Sequence, residues 1–101
     1  MYRSPALLKL ARGAPCLVAI EGICTGNRES VVAAHGNWQN LGKGVGLKAH
    51  DCFIAFACQA CHDAIDGRTH HIPKADRRYY WQRGFERTVL YLFENAKVKV
   101  A

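Results

Sequence analysis

The sequence has no apolar run that approaches the roughly 18 residues needed to span a bilayer. Its first residues lead into a short amphipathic segment and not into the long apolar region of a secretory signal peptide. No internal repeat and no linker-like stretch divides the 101 residues. From these absences we expect no membrane partner, a cytoplasmic location and a single domain over residues 1–101.

Acidic residues are scarce in this chain. There are 8 Asp and Glu against 14 Lys and Arg, so the formal net charge is +6 at pH 7. A basic balance favours a polyanion such as nucleic acid as the partner, although it does not identify one. A phosphate-binding P-loop is also missing, because the glycines around Lys43 lack its spacing and its Lys-Ser/Thr ending.

Cysteine is present in an odd number, 5 in 101 residues. The core of so small a chain gives only marginal stability, so an additional covalent or metal link is expected. Cys58 and Cys61 form a Cys-x-x-Cys pair that is followed directly by His62. With no signal peptide, this pattern favours metal binding over disulfides in a reducing cytoplasm.

Local patterns predict an α+β fold. Ser4-Pro5 has the residue types of a helix N-cap and first helical position, and Gly13 is expected to end that helix. A second helix is predicted from Cys58 to Gly67. Apolar residues that recur every three and four positions predict a long amphipathic helix over Asp76–Ala96. The predicted strands are Cys16–Ile20, Ser30–His35, Asp51–Phe56 and a short edge strand Lys97–Val100.

Four of the cysteines form a candidate structural zinc site. Cys16 and Cys24 bracket the first predicted hairpin, and Cys58 and Cys61 begin the second helix, so a tetrahedral site would join these segments. A structural zinc can add free energy on the order of 10 kcal/mol to the folding of a small domain. The alternative is that Cys58 and Cys61 are ordinary buried cysteines. The remaining Cys52 is expected to be a core thiol.

A second metal is predicted further along the same helix. His62 and Asp66 are four residues apart, which places both side chains on one helical face. An imidazole and a carboxylate in this arrangement can share a catalytic divalent ion. One short helix would therefore carry ligands of a structural zinc at its start and ligands of a catalytic ion further along.

The order of these motifs carries a resemblance to a known family. A strand that ends in Ala34-His35 precedes a glycine-rich loop, a strand from Asp51, and the Cys-x-x-Cys-His-Asp-x-x-Asp-x-Arg-Thr-His pattern of residues 58–70. With the upstream cysteine pair, the chain resembles the YbcO-like family of phage and prophage nucleases, within the HNH endonuclease superfamily. The resemblance implies a small zinc-stabilised ββα-metal (HNH-like) domain with an N-terminal helix and a long C-terminal helix.

A metal-dependent DNA endonuclease is the activity that the resemblance implies. His35 would be the general base that deprotonates water for in-line attack on a phosphodiester. His62, together with Asp66, would hold the catalytic ion, such as Mg²⁺, Mn²⁺ or Zn²⁺. Asp51 would bind metal or orient His35. The residues expected to contact phosphate are Arg68 and His70.

The position before the expected base departs from the superfamily pattern. Ala34 stands where many HNH enzymes have an acidic or histidine metal ligand, so the ion has fewer protein ligands.

The expected partners are DNA and, for a role in phage or prophage recombination or DNA processing, recombination proteins. The alternative is a non-catalytic zinc-stabilised module that binds DNA or a recombination protein, which requires neither His35 nor His62. A cysteine hydrolase built on Cys52 has no supporting motif.

Overall fold

A two-stranded antiparallel sheet and three helices are the regular elements of the computed structural model, which describes residues 1–44, 46–95 and 97–98. This small α+β architecture agrees with the sequence-based prediction. Short 3-10 turns precede and follow the first strand. The elements are α1 (Pro5–Lys9), β1 (Val32–His35), β2 (Ile54–Ala57), α2 (Gln59–Ile65) and α3 (Lys74–Glu94).

The predicted start of α1 and both predicted ends of α2 are confirmed, whereas α1 ends at Lys9 and not at the predicted Gly13, because residues 10–13 form a turn. The Ser4 side chain caps α1 by accepting a hydrogen bond from the Leu7 N–H at 3.2 Å, and Pro5 takes the first helical position. Cys58 immediately precedes α2. Gly67 follows that helix with a φ of +78°, a conformation that glycine adopts without steric cost.

The predicted strand Cys16–Ile20 is wrong. The segment is irregular, and the Leu17 and Val18 N–H groups both donate to the Phe56 carbonyl, at 2.8 and 3.1 Å. The Phe56 N–H donates to Thr88 Oγ1 on α3 at 2.9 Å. At the outer edge of β2, the Phe56 carbonyl and N–H thus form hydrogen bonds with a loop and with a helix side chain. This avoids the free-energy cost of unpaired buried backbone groups.

The two strands pair with His35 opposite Ile54. β1 ends at His35, as the sequence predicts. β2 begins later than the predicted Asp51, because residues 51–53 form a turn. Cys52 is exposed on that turn, so the prediction of a core thiol is wrong.

α3 begins and ends slightly earlier than the predicted range Asp76–Ala96, since Pro73 precedes its first residue. Ala96 lies outside the described residues, as does the second half of the predicted edge strand. Residues 97 and 98 are described and are not in a strand. Within the described part of the chain, no helix combines the length and apolarity that crossing a membrane requires.

α3 packs closely against the sheet and the irregular segment. Trp81 is buried, its Nε1–H donates to the Ala34 carbonyl at 2.9 Å, and its ring stacks on Phe85 with centroids 5.2 Å apart. A Cβ atom on Gly84 would lie 2.6 Å from Val18 Cγ2. Glycine in a helix interior costs about 1 kcal/mol relative to alanine, and here it permits the close approach that brings the cysteine-bearing segment onto α3.

Candidate active site and metal centre

Four cysteine sulfurs meet at the start of α2. Cys58 and Cys61 are buried there, while Cys16 and Cys24 approach from the irregular segment before β1. All four Sγ atoms lie within 4.8 Å of one another, and those of Cys24 and Cys58 are 3.9 Å apart. Tetrahedral Zn–S bonds of about 2.3 Å would separate the sulfurs by roughly 3.8 Å. The predicted quartet is therefore positioned to bind a metal ion such as zinc, which ordinary buried cysteines do not require.

α3 supports the segment that carries Cys16. Arg83 and Arg87 donate hydrogen bonds of 2.6 to 3.3 Å to the carbonyls of residues 17–19. The Ala19 N–H in turn donates to Cys16 Sγ at 3.4 Å. A backbone N–H aimed at sulfur stabilises the thiolate, which is the form that binds metal. Arg83 and Arg87 thus help to hold the backbone that carries Cys16.

The four thiols differ in pKa. A hydrogen bond with Cys61 lowers the pKa of Cys16 to about 4, and the same contact raises the pKa of Cys61. Burial raises the pKa of Cys24. Burial acts in the same direction on Cys58, but hydrogen bonds from the backbone of Cys61 and Thr25 outweigh it and lower the Cys58 pKa. Part of the cluster is thus ready to ionise, and a bound cation would favour ionisation of the rest.

His35 and Asp51 form a hydrogen-bonded pair at the end of β1. His35 Nε2 lies 2.8 Å from Asp51 Oδ1. Asp51 is only 4% exposed, and this burial would raise its pKa. Hydrogen bonds from His35, Ser4 and Arg3 outweigh burial, so the pKa of Asp51 lies below its ordinary value. Because the ionised carboxylate accepts the proton of Nε2, Nδ1 is the ring nitrogen that remains to accept a proton from water.

Residues before α1 hold Asp51 in place. Arg3 Nη1 donates to Asp51 Oδ1 at 3.1 Å, and the Ser4 N–H donates to Oδ2 at 2.7 Å. The Tyr2 N–H donates to His50 Nδ1 at 2.9 Å. We call residues 2–4 the N-terminal clamp. Sequence reasoning missed it, because its partners lie more than 40 positions away and no motif connects them.

His62 and Asp66 meet on one face of α2, where their four-residue spacing puts them. His62 Nε2 lies 3.1 Å from Asp66 Oδ2, and Asn37 Nδ2 donates to Asp66 Oδ1 at 3.0 Å. Burial would raise the pKa of Asp66, but the contacts with His62, Asn37 and Arg68 lower it overall. His62 Nδ1 is buried and has no hydrogen-bond partner among the described residues. Asn37 is a further residue of this site that the sequence did not signal.

The His62–Asp66 pair fits a divalent ion that is only partly coordinated by protein. Among the described residues, no third His, Cys, Asp or Glu lies close enough to join the pair around one ion. Imidazole nitrogen and carboxylate oxygen are ligands that suit zinc and manganese, and magnesium commonly keeps several waters beside one or two carboxylates. Water and phosphate oxygens would therefore complete the coordination shell.

An open cavity of about 500 Å³ brings the expected catalytic side chains together. His35, His62, Asp66 and Arg68 all line this cavity, whereas Asp51 lies behind His35 and does not. The cationic side chains in the lining outnumber the single carboxylate and can attract a phosphate. The two imidazoles can accept and donate a proton. The other basic side chains in the lining are Arg12, Lys43 and Lys48.

Arg68 is present at the cavity and His70 is not. Arg68 lies 3.1 Å from an oxygen of Asp63 and 3.4 Å from an oxygen of Asp66, and its side chain is 59% exposed. Ion pairs this exposed contribute little to stability, so the guanidinium can exchange a carboxylate for a phosphate at small cost. His70 is exposed and lines no part of the cavity, so the structure does not bring it to the expected site.

Known proteins resemble this chain over nearly its whole length. A family model described as "Putative nuclease YbcO" matches residues 5–96. Two relatives carry that name, one from Escherichia coli (strain K12) and one from Enterobacteria phage 82. Each is 39% identical over 93 residues, which cover 92% of this chain and 96% of the relative.

A solved structure has the same fold. It is described as "Structure of a putative bacteriophage protein from Escherichia coli str. K-12 substr. MG1655". It aligns with this chain at a TM-score of 0.71 and 34% identity, covering 89% of this chain and 99% of its own. The family match, the two relatives and the shared fold agree, and this chain belongs to the family described as "Putative nuclease YbcO".

Proposed function

We propose that this chain is a metal-dependent DNA endonuclease of the HNH type, with residues 1–101 as one nuclease domain. In this proposal β1, β2 and α2 are the ββα-metal element. The observation that carries it is the cavity that His35 shares with the His62–Asp66 pair, in a chain whose relatives carry the name "Putative nuclease YbcO". One of those relatives comes from a phage, which supports a role in phage or prophage DNA recombination or processing.

His35 is the proposed general base. Its Nδ1 takes a proton from water, the water oxygen bonds to phosphorus in line, and the bond from phosphorus to the 3′ oxygen breaks with its electron pair. Asp51 keeps the proton on Nε2 and stabilises the imidazolium that forms, as the buried aspartate of a Ser-His-Asp triad does for its histidine. The leaving 3′ oxygen takes a proton from solvent, which gives a 3′-hydroxyl and a 5′-phosphate.

His62 and Asp66 are the proposed ligands of the catalytic ion, which would be Mg²⁺, Mn²⁺ or Zn²⁺. When bound, the ion would supply positive charge that stabilises the phosphate and the leaving 3′ oxygen. Arg68 would contact the scissile phosphate or its neighbour. A structural zinc on the four cysteines would hold the start of α2, and with it the helix that carries both ligands.

His35→Ala is the direct test of this function. Purified wild-type protein is screened against duplex, single-stranded and branched DNA with Mg²⁺, Mn²⁺, Ni²⁺ or Zn²⁺. We expect metal-dependent cleavage that falls by about 10²- to 10⁴-fold in the variant, which is the usual contribution of a general base. Zinc content and DNA binding should be unchanged. His71→Ala is the matched control, since His71 is exposed and lines no part of the cavity.

A non-catalytic binding module is the second candidate. Ala34 is 1% exposed and its carbonyl accepts the Trp81 Nε1–H, so the position before His35 belongs to the core and supplies no side-chain ligand. The cysteine quartet and the basic cavity would suit a zinc-stabilised module that binds DNA or a recombination protein. This candidate gains support if wild-type protein cleaves none of the substrates with any metal, or if His35→Ala cleaves at the wild-type rate.

A further inference from the structure

A second open cavity, of about 600 Å³, adjoins the cavity of the candidate active site. Asn37, Asp66 and Arg68 line both cavities, so the two share a wall. The second cavity adds Lys74 and Arg77 from the first turn of α3. Its charged lining therefore consists of three cations and one carboxylate. A linear polymer bound in the first cavity can therefore extend directly into the second.

Arg77 is held against the end of α2 without being neutralised. A Cβ atom on Gly67 would collide with Arg77 Nη1, so this glycine allows the guanidinium to lie over the turn that follows α2. Arg77 Nε is buried and has no hydrogen-bond partner, and no carboxylate forms an ion pair with the guanidinium among the described residues. A positioned and unpaired guanidinium beside a cavity is suited to bidentate binding of phosphate.

The other arginines of α3 are used within the protein. Arg83 and Arg87 donate to the carbonyls of residues 17–19. Arg78 lies over the Trp38 ring, with its Cζ 4.8 Å from the ring centroid. Arg77 differs from these three, because the described residues give its guanidinium no such contact. Lys74 is exposed and, like Arg77, has no ion pair within the described part of the chain.

We propose that Lys74 and Arg77 form a subsite for the backbone phosphate next to the scissile one on the same DNA strand. This proposal rests on the proposed nuclease function. The shared wall of Asn37, Asp66 and Arg68 places the subsite directly beside the proposed reacting phosphate, and the cations supply the charge that a neighbouring phosphodiester requires. The subsite would fix which direction the strand takes away from His35, so that the scissile bond lies in line for attack.

The test measures binding separately from cleavage. All proteins carry His35→Ala and no divalent metal is added, so the DNA stays intact. Fluorescence anisotropy gives the Kd for a labelled strand and its duplex over a series of salt concentrations. Arg77→Gln and Lys74→Gln should each weaken binding by about threefold to tenfold and reduce the salt slope by about one. Lys9→Gln is the matched control, because Lys9 is exposed and lines neither cavity.

A phosphate scan then locates the contact. Single phosphates of the strand are replaced by neutral methylphosphonates, and each loss of affinity is measured with and without Arg77→Gln. We expect one position beside the cleavage site where the replacement weakens binding by the parent protein but has no further effect on the Arg77→Gln protein. A cation that acted only as general positive charge would show no such position.

The outcomes separate this proposal from the proposed function. If wild-type protein cleaves DNA while Arg77→Gln and Lys74→Gln bind with unchanged Kd and salt slope, the subsite is wrong and the nuclease stands. If wild-type protein neither binds nor cleaves DNA, the proposed function fails and the subsite fails with it. Zinc content and circular dichroism check that each variant is folded. If Arg77→Gln does not fold, the salt series and phosphate scan on Lys74→Gln decide by the same criteria.

Discussion

The two ends of α2 differ in burial and in the number of ligands they offer. At its start, Cys58 and Cys61 are 0% exposed and meet two further cysteines, so four ligand atoms are already together. Further along, the His62 and Asp66 side chains are 24% and 19% exposed and offer two ligand atoms beside an open cavity. Structural metal sites are closed by four protein ligands, whereas catalytic sites keep positions open.

This difference shows how a short helix can carry chemistry. α2 has 7 residues, and a helix of that length has almost no stability in isolation. The cysteine cluster at its start and the contact of Asn37 with Asp66 hold it in place. The buried end thus supplies the rigidity that fixes the positions of His62 and Asp66, the two proposed ligands.

Removing a cysteine should have the largest effect. Cys58→Ser removes one of four ligands, and the protein should lose its zinc together with much of the roughly 10 kcal/mol that a structural zinc contributes. Metal analysis and thermal melting followed by circular dichroism measure both. Cys52→Ser is the matched control, because Cys52 is exposed and outside the cluster. A folded Cys58→Ser protein with full zinc content would show that the four-cysteine site is wrong.

Removing a carboxylate from the open end should affect catalysis and spare the zinc. Asp66→Asn should lower metal-dependent cleavage by more than the roughly 10- to 100-fold that is typical for outer-shell partners of a metal. Cleavage rates over a titration of Mg²⁺ or Mn²⁺ should also show a higher metal requirement. Asp76→Asn, which changes an exposed carboxylate on α3, should behave like wild type. Equal metal requirements in both variants would remove Asp66 from the ligand set.

A change in the core beneath both ends should lower the stability of the whole domain and leave metal binding at each end unchanged. Thr88 is 1% exposed, and Thr88→Val would leave the Phe56 N–H without its partner. A buried unpaired donor costs about 1–3 kcal/mol, which lowers the Tm of a chain this size by about 4–8 °C per kcal/mol. Urea unfolding and calorimetry measure the loss, with exposed Thr69→Val as the control. Zinc stoichiometry and metal requirement should stay constant, and a selective loss of either one would contradict a shared scaffold.

The smallest effect should come from the pH dependence of the His35–Asp51 pair. The pKa of Asp51 is lowered in the folded chain from its ordinary value of 3.8. Its contribution to stability is therefore complete above that value and is lost as the pH falls through the lower folded pKa. The difference in urea midpoint between wild type and Asp51→Asn should shrink as the pH falls below about 4. A difference that widened below that pH would mean that the carboxylate is not held ionised.

Residues that act through short-range patterns could be predicted from the sequence. The Ser4-Pro5 cap, the helix that starts after Cys58 and the end of β1 at His35 are all confirmed. The convergence of Cys16 and Cys24 with Cys58 and Cys61 is confirmed as well. The roles of His35, His62, Asp66, Asp51 and Arg68 in catalysis, and the HNH type itself, stay predictions.

Apart from the cysteine quartet, whose residue type indicates a shared metal site, contacts between distant segments could not be predicted. Cys16–Ile20 has the composition of a strand, but its Leu17 and Val18 N–H groups bond to a single carbonyl of β2, and the carbonyls of residues 17–19 bond to arginines of α3. Cys52 lies in an apolar run and is nevertheless exposed, because the chain turns at that point. Strand propensity describes how a segment fits a half-buried sheet surface, and here a loop and a helix satisfy the sheet edge instead.

The sequence by itself determined the family, the residue types of the candidate metal ligands and the spacing of those that α2 carries. Tertiary structure alone decided which side chains share a cavity, which of the α3 arginines contact other parts of the protein, and that the N-terminal clamp holds Asp51. The physical reason is the sequence separation of the residues that interact. Caps and helical faces depend on neighbours within a few residues, whereas Arg3 reaches Asp51 and Arg83 reaches Val18 only once the core has packed.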